Sequence, residues 1–143
     1  MHISQLLRRK GAGVATVDAT ASVRTALALL VEHRVGALVV SADGRSVDGI
    51  VSERDVVRAL HDRGAGLLAD PVSSVMTAQV HTCVPGAGVE ELARTMTQHR
   101  VRHVPVVEDG ALVGIVSIGD VVKARLDELE DERAQLVDYI QTG

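Results

Sequence analysis

Gly49-Ile50-Val51-Ser52-Glu53-Arg54-Asp55-Val56-Val57 returns later in the chain as Gly114-Ile115-Val116-Ser117-Ile118-Gly119-Asp120-Val121-Val122. Working outward from this pair, His33-Arg34-Val35 recurs as His99-Arg100-Val101, and Asp43-Gly44 as Asp109-Gly110, each 66 positions on. A one-residue gap brings the later matches to an offset of 65, as in Ser52 and Ser117. Matches this numerous and in order mean an internal duplication. The copies run over roughly 14–63 and 80–126, joined by a connector around Pro71.

Both copies read alike. A short apolar β-like piece (14–17; 80–84) precedes an amphipathic helix, with Val23, Leu27 and Leu30 on one face in the first copy and Val89, Leu92 and Met96 in the second. Two apolar strands joined by an Asp-Gly turn follow, at 37–40 and 50–51, then at 104–107 and 112–116. A second helix closes each unit, over 53–63 before Gly64 and from Gly119 onward. The order strand, helix, strand, strand, helix predicts an α+β fold. Its three-stranded sheets carry helices on one face and leave the other to be covered by the partner copy. From Val122 the apolar residues Leu126, Leu129, Leu136 and Ile140 continue at spacings of four and three or their sum, interrupted only at Arg133. That stripe predicts one long C-terminal helix, packed on its own domain or in a subunit contact. The expected division is 1–69 for an N-terminal helix and first repeat, 70–126 for connector and second repeat, and 127–143 for the helical extension.

Bulk properties narrow the function. With 143 residues, 46% hydrophobic and 24% charged, the chain can bury roughly 68–70% of its unfolded surface without staples. Its net charge of −4 argues against a nucleic-acid footprint. Aromatic content is 1%, a single Tyr139, so a bound base would lie between aliphatic side chains and backbone. One cysteine, Cys83, fits a reducing compartment and reads as a small buried hydrophobe. No signal-peptide core follows Arg8-Arg9-Lys10, and no apolar run reaches the ~18 residues of a membrane span. A cytoplasmic protein is expected, with no membrane partner.

The unit order, Arg102-His103-Val104-Pro105-Val106-Val107, the repeated Gly-Ile-Val-Ser segment and Val75-Met76-Thr77 in the connector resemble the cystathionine-β-synthase-type (CBS) domain family. The resemblance covers nearly the whole chain. It implies two repeats packed face to face through their sheets with pseudo-two-fold symmetry, as a stand-alone Bateman module. It further implies two clefts for adenosine-containing ligands, and frequent homodimerisation.

Ser52-x-x-Asp55 and Ser117-x-x-Asp120 each read first as a capping box. A helix mouth also attracts phosphate, and a carboxylate can accept both hydroxyls of a ribose. Resemblance to the family's Gly-x-x-Ser/Thr-x-x-Asp signature assigns serine to phosphate and aspartate to ribose. Arg54, Arg102 and His103 are expected to neutralise phosphates, or else to be solvated surface charges. Their twins are Gly119, Gly36 and Ala37, so the clefts should differ in charge. By position in the family, Thr16, Val17, His81, Thr82, Val104, Pro105 and Val106 would line the adenine pocket, or else form core strands.

Other chemistry is weak. Three Gly-Ala-Gly triplets (from Gly11, Gly64 and Gly86) do not extend to a dinucleotide fingerprint. His81-x-Cys83 lacks the second ligand pair a structural zinc needs. Neither a nucleophile–base pair nor a required cofactor is visible. The expected function is therefore a non-enzymatic sensor of AMP, ADP or ATP. The alternatives are NAD(H) or another adenosyl ligand, and a dimeric scaffold that uses no ligand.

Overall fold

The computed structural model describes residues 1–11 and 13–142; Ala12, inside the first Gly-Ala-Gly triplet, and Gly143 lie outside it. Helix α1 (Ile3–Lys10) leads into β1 (Thr16–Val17), α2 (Val23–His33), β2 (Ala37–Val40), β3 (Gly49–Ser52) and α3 (Glu53–Arg63). Two short 3-10 turns, Ala65–Ala69 and Val72–Ser74, carry the connector. The second half holds α4 (Val89–His99), β4 (His103–Glu108), β5 (Ala111–Ser117) and α5 (Ile118–Thr142).

The repeated His-Arg-Val motif is a helix stop. Arg34 and Arg100 end α2 and α4 in the left-handed conformation, at φ 55° and 54°. The next N–H groups, of Val35 and Val101, donate back to the carbonyls of Leu30 and Met96 at 3.1 and 3.0 Å. The backbone of each copy is thereby turned out of its helix toward the β-strand that follows. Asp109 and Gly110, both at positive φ (51° and 78°), join β4 to β5 as a two-residue hairpin expects. Asp43 does otherwise: its carboxylate accepts N–H bonds from Arg45 and Ser46 at 2.8 Å, inside a longer loop. Those donors hold its pKa down at about 2.

The sheets differ by one residue. In the first half, β1 pairs parallel with β2 and β2 antiparallel with β3. The second half has β4 and β5 antiparallel, while the expected strand over 80–84 is reduced to a bridge between Cys83 and Val106. Pro105 explains the reduction. Its twin, Val39, donates its N–H to Ala15 at 3.2 Å, a bond that proline cannot make. Only the Cys83 N–H to Pro105 carbonyl (3.0 Å) and Val107 N–H to Cys83 carbonyl (2.8 Å) remain. Pro105 is thus buried in a strand whose far side carries only the Cys83 bridge.

In β2 and in the centre of β4 both faces are buried. Leu38 and Val40 enter the first core with Val23, Leu30 and Val56; Val104, Val106 and Val116 enter the second with Leu92 and Met96. Val39 and Pro105, pointing the other way, are buried too, as the covering of each sheet by the other half requires. The leading segments cross over. Ile3, Leu6 and Leu7 of α1 belong to the second core, whereas Val72, Val75 and Met76 of the connector pack in or against the first. Gly49 and Gly114 make room for these arrivals: a β-carbon there would lie 2.7 Å from Met76 Sδ and 2.7 Å from Leu7 Cδ2.

Beyond its first turns α5 leaves the body. Val121 and Ala124 are buried, whereas Val122, Leu126, Leu129, Leu136 and Ile140 are 45–73% exposed. Packing on its own domain therefore holds only for the start of the helix. No helix among the described residues is long and apolar enough to cross a membrane.

Candidate functional site

Both Ser-x-x-Asp corners fold as capping boxes. The Ser52 N–H donates to Asp55 Oδ2 at 2.8 Å, and the Asp55 N–H donates to Ser52 Oγ at 3.3 Å. In the second copy the same bonds are 2.8 Å (Ser117 N–H to Asp120 Oδ2) and 3.1 Å (Asp120 N–H to Ser117 Oγ). Ser52 Oγ also donates to Asp55 Oδ2 at 3.0 Å. All of Asp55's hydrogen bonds from described residues fall on Oδ2, so Oδ1 keeps its acceptor capacity.

Asp55 opens into a crevice of about 520 Å³ between the halves. Gly36 and the stretch from Ser52 to Arg58 line one side; Gln79, Val80, His81 and the stretch from His99 to His103 line the other. Four arginines converge here, Arg54, Arg58, Arg100 and Arg102, against the carboxylates of Glu53 and Asp55. Planar guanidinium forks suit phosphate oxygens, and an excess of positive charge favours an anion. The rings of His81 and His99 stack with centroids 4.0 Å apart, giving the crevice an aromatic surface that composition alone did not promise. His103 fills the space opposite Gly36, where a β-carbon would lie 3.3 Å from its ring. Burial lowers the His103 pKa; Asp120 and Glu53 pull it up, Lys10 and Arg102 down.

Asp120 has a different neighbour. Lys10 Nζ, from α1, donates to its Oδ2 at 2.6 Å and to the Ile115 carbonyl at 2.8 Å. Burial raises the Asp120 pKa, but the bonds from Lys10 and Ser117 outweigh it, leaving the carboxyl below its ordinary range. The adjoining hollow measures about 90 Å³, between Arg9, Lys10, Asp120, Lys123 and Asp127.

The crevice thus gathers Ser52, Arg54, Asp55, His81, Arg102 and His103 of the residues singled out from sequence. Ser117 and Asp120 stand at the other corner. Val17, Val104, Pro105 and Val106 are buried, while Thr16 is partly buried in β1 and Thr82 is exposed beside the crevice-lining His81. Sequence reasoning missed Arg58, His99, Arg100 and Lys10. Arg58 was findable, one helical turn after Arg54 on the same face. Lys10 lies 110 residues from Asp120, with no local signal to join them. Cys83 is half-buried, and burial pushes its thiol up to about 11, far from a reactive thiolate.

Comparison with known proteins agrees with this architecture. The CBS domain family model matches residues 4–62 and 72–127. The chain belongs to the CBS domain family. Within it, a CBS-domain containing protein from Agrobacterium tumefaciens is 47% identical, with a TM-score of 0.84 over 87% of this chain and 99% of that one. The mitochondrial CBS domain-containing protein CBSX3 of Arabidopsis thaliana is 36% identical, spanning 99% of this chain and 72% of its own length. A CBS domain protein from Pyrobaculum aerophilum complexed with AMP is 32% identical, with a TM-score of 0.73 over 84% of this chain and 89% of that one. Two CBS repeats, an α+β fold and a long terminal helix are the shared features.

Proposed function

We propose that this CBS pair is a regulatory, ligand-sensing module that binds an adenine nucleotide (AMP, ADP or ATP) in the Asp55 crevice. One observation carries the reading: a helix-start carboxylate with an unused oxygen shares about 520 Å³ with four arginines. Asp55 Oδ1 would accept the ribose hydroxyls, and Arg54 and Arg102, with Ser52 and the α3 helix mouth, would take the phosphates. Binding of AMP by the Pyrobaculum relative supports the ligand class. Because the crevice takes lining from both repeats, a ligand there biases how the halves sit, by no more than its differential affinity for the two arrangements. No catalytic role is assigned to any residue.

A second copy of the chain is the proposed partner of α5. The exposed seam through Val122, Leu126, Leu129, Leu136 and Ile140 follows the four-three spacing of helices that pair with one another. Sedimentation equilibrium should give a dimer that Leu129→Glu with Leu136→Glu dissociates. A monomeric parent chain rules the pairing out.

Isothermal titration tests the ligand. Heat is expected with AMP, ADP or ATP, and Asp55→Asn should weaken it at least tenfold. Arg102→Ala should cost ADP and ATP more than adenosine; equal losses remove Arg102 from the phosphate end. Heat with NAD(H) alone moves the reading to the dinucleotide. No heat from any adenosine compound, with a folded circular dichroism spectrum, replaces it with the ligand-free scaffold.

A further inference from the structure

The edge of β3 and the edge of β5 are finished by different means. In the first half, Thr77 donates its N–H to the Ile50 carbonyl at 2.8 Å and accepts the Ile50 N–H at 3.0 Å. Backbone alone closes that edge, and Asp55 is bonded only within its own capping box among the described residues. The twin carbonyl, that of Ile115, is met by the Lys10 ammonium at 2.8 Å, and the same ammonium reaches Asp120 at 2.6 Å. Charge-assisted bonds of this kind are about twice as strong as neutral ones. Lys10 is not a loose tether either: Ile3, Leu6 and Leu7 of its helix are buried in the second core. The Met1 amino group also lies 3.6 Å from Glu128 of α5.

We infer that Lys10 is a built-in occupant of the second ligand position, so that the chain takes one nucleotide, at Asp55, while α1 is docked. The inference rests on the adenine-nucleotide reading at Asp55, with Asp120, its twin in the repeat, as the second ligand position. Lys10 sits on Asp120 Oδ2 beside the Ser117 N–H, so a ribose arriving there meets an ammonium already seated on the carboxylate and, to take that position, exchanges a charged donor for neutral hydroxyls. At the helix mouth itself, Arg54 of the Asp55 corner is matched by Gly119 at the Asp120 corner, so a phosphate there finds no guanidinium at that position. Docking of α1 therefore sets the number of ligands held.

The test is isothermal titration and native mass spectrometry of the full chain with saturating ADP. Wild type is expected to hold one ADP and Lys10→Met two, the methionine keeping an unbranched stem without the charge. Asp55→Asn should lose the wild-type site at least tenfold, while the Lys10→Met/Asp55→Asn double variant retains one. Lys10→Gln serves as a second neutral variant, each checked for folding by circular dichroism. Two ADP in wild type, one in both neutral variants, or undiminished binding by Asp55→Asn overturns the inference alone. No binding by any form overturns it together with the nucleotide reading.

Discussion

The corners at Asp55 and Asp120 have the same local geometry and opposite surroundings. The serine N–H reaches the aspartate at 2.8 Å in both. One aspartate then faces an arginine-lined crevice, and the other is tied to Lys10. A repeated motif fixes what happens within one turn of a helix. What the motif can bind is fixed by residues that other segments bring, and those segments are not repeated: α1 and the connector differ in sequence and in structure. Duplication supplied two equal scaffolds, and the crossing segments made them unequal.

The largest test of that difference is to disturb the crossing. Ile3 is fully buried in the second core, although it precedes the first repeat. Ile3→Ala should cost about 2–5 kcal/mol by urea denaturation. A loss under about 1 kcal/mol would mean that α1 is not an integral part of that core. The next effect is a contrast between twin glycines. A β-carbon at Gly49 meets the Thr77 carbonyl at 3.0 Å as well as Met76, whereas at Gly114 it meets only the flexible end of Leu7. Backbone cannot step aside as a side chain can. Gly49→Ala should therefore destabilise by about 1–3 kcal/mol, and Gly114→Ala by less. Equal losses in thermal melts would show that both edges are equally rigid.

How much of this was legible in the sequence follows from the range of the forces involved. Helix α3 ends at Gly64 and β2 spans Ala37–Val40, both as the pattern expects, because a capping box, a glycine stop and an apolar run act over a few residues. The loss of a strand at 80–84 was also written locally, in Pro105. It becomes readable only once Val39, its twin, is seen donating to Ala15. Arg54 and Asp55 were found together because they are neighbours on one helix mouth. Lys10 at Asp120 and the stacking of His81 on His99 depend on long-range packing, which no periodicity reports. The α5 stripe was legible as a helix. Its exposure was not, since apolar spacing is the same whether a helix is covered by its own domain or by nothing within the chain.

The smallest expected effect concerns His103, which stands between the two corners. Burial lowers its pKa from the ordinary 6.5, opposed by the carboxylates of Asp120 and Glu53 and assisted by the charges of Lys10 and Arg102. The unfolded chain then takes up this proton first, so stability is lost as pH falls below 6.5 toward the folded-state value. Asp120 acts in a separate, more acidic window. Its pKa lies below 3.8 in the fold, so its contribution is complete above 3.8 and disappears as pH drops through the folded value. Comparing urea midpoints at about pH 7.5 and about pH 5.5 isolates the histidine, because ordinary carboxylates stay ionised across that span. Replacing it, as His103→Gln, should narrow the gap between the two midpoints, while the exposed histidines leave a common background in both proteins. An unchanged gap would mean that the fold does not disfavour the imidazolium, and that the interface at Gly36 admits a charge.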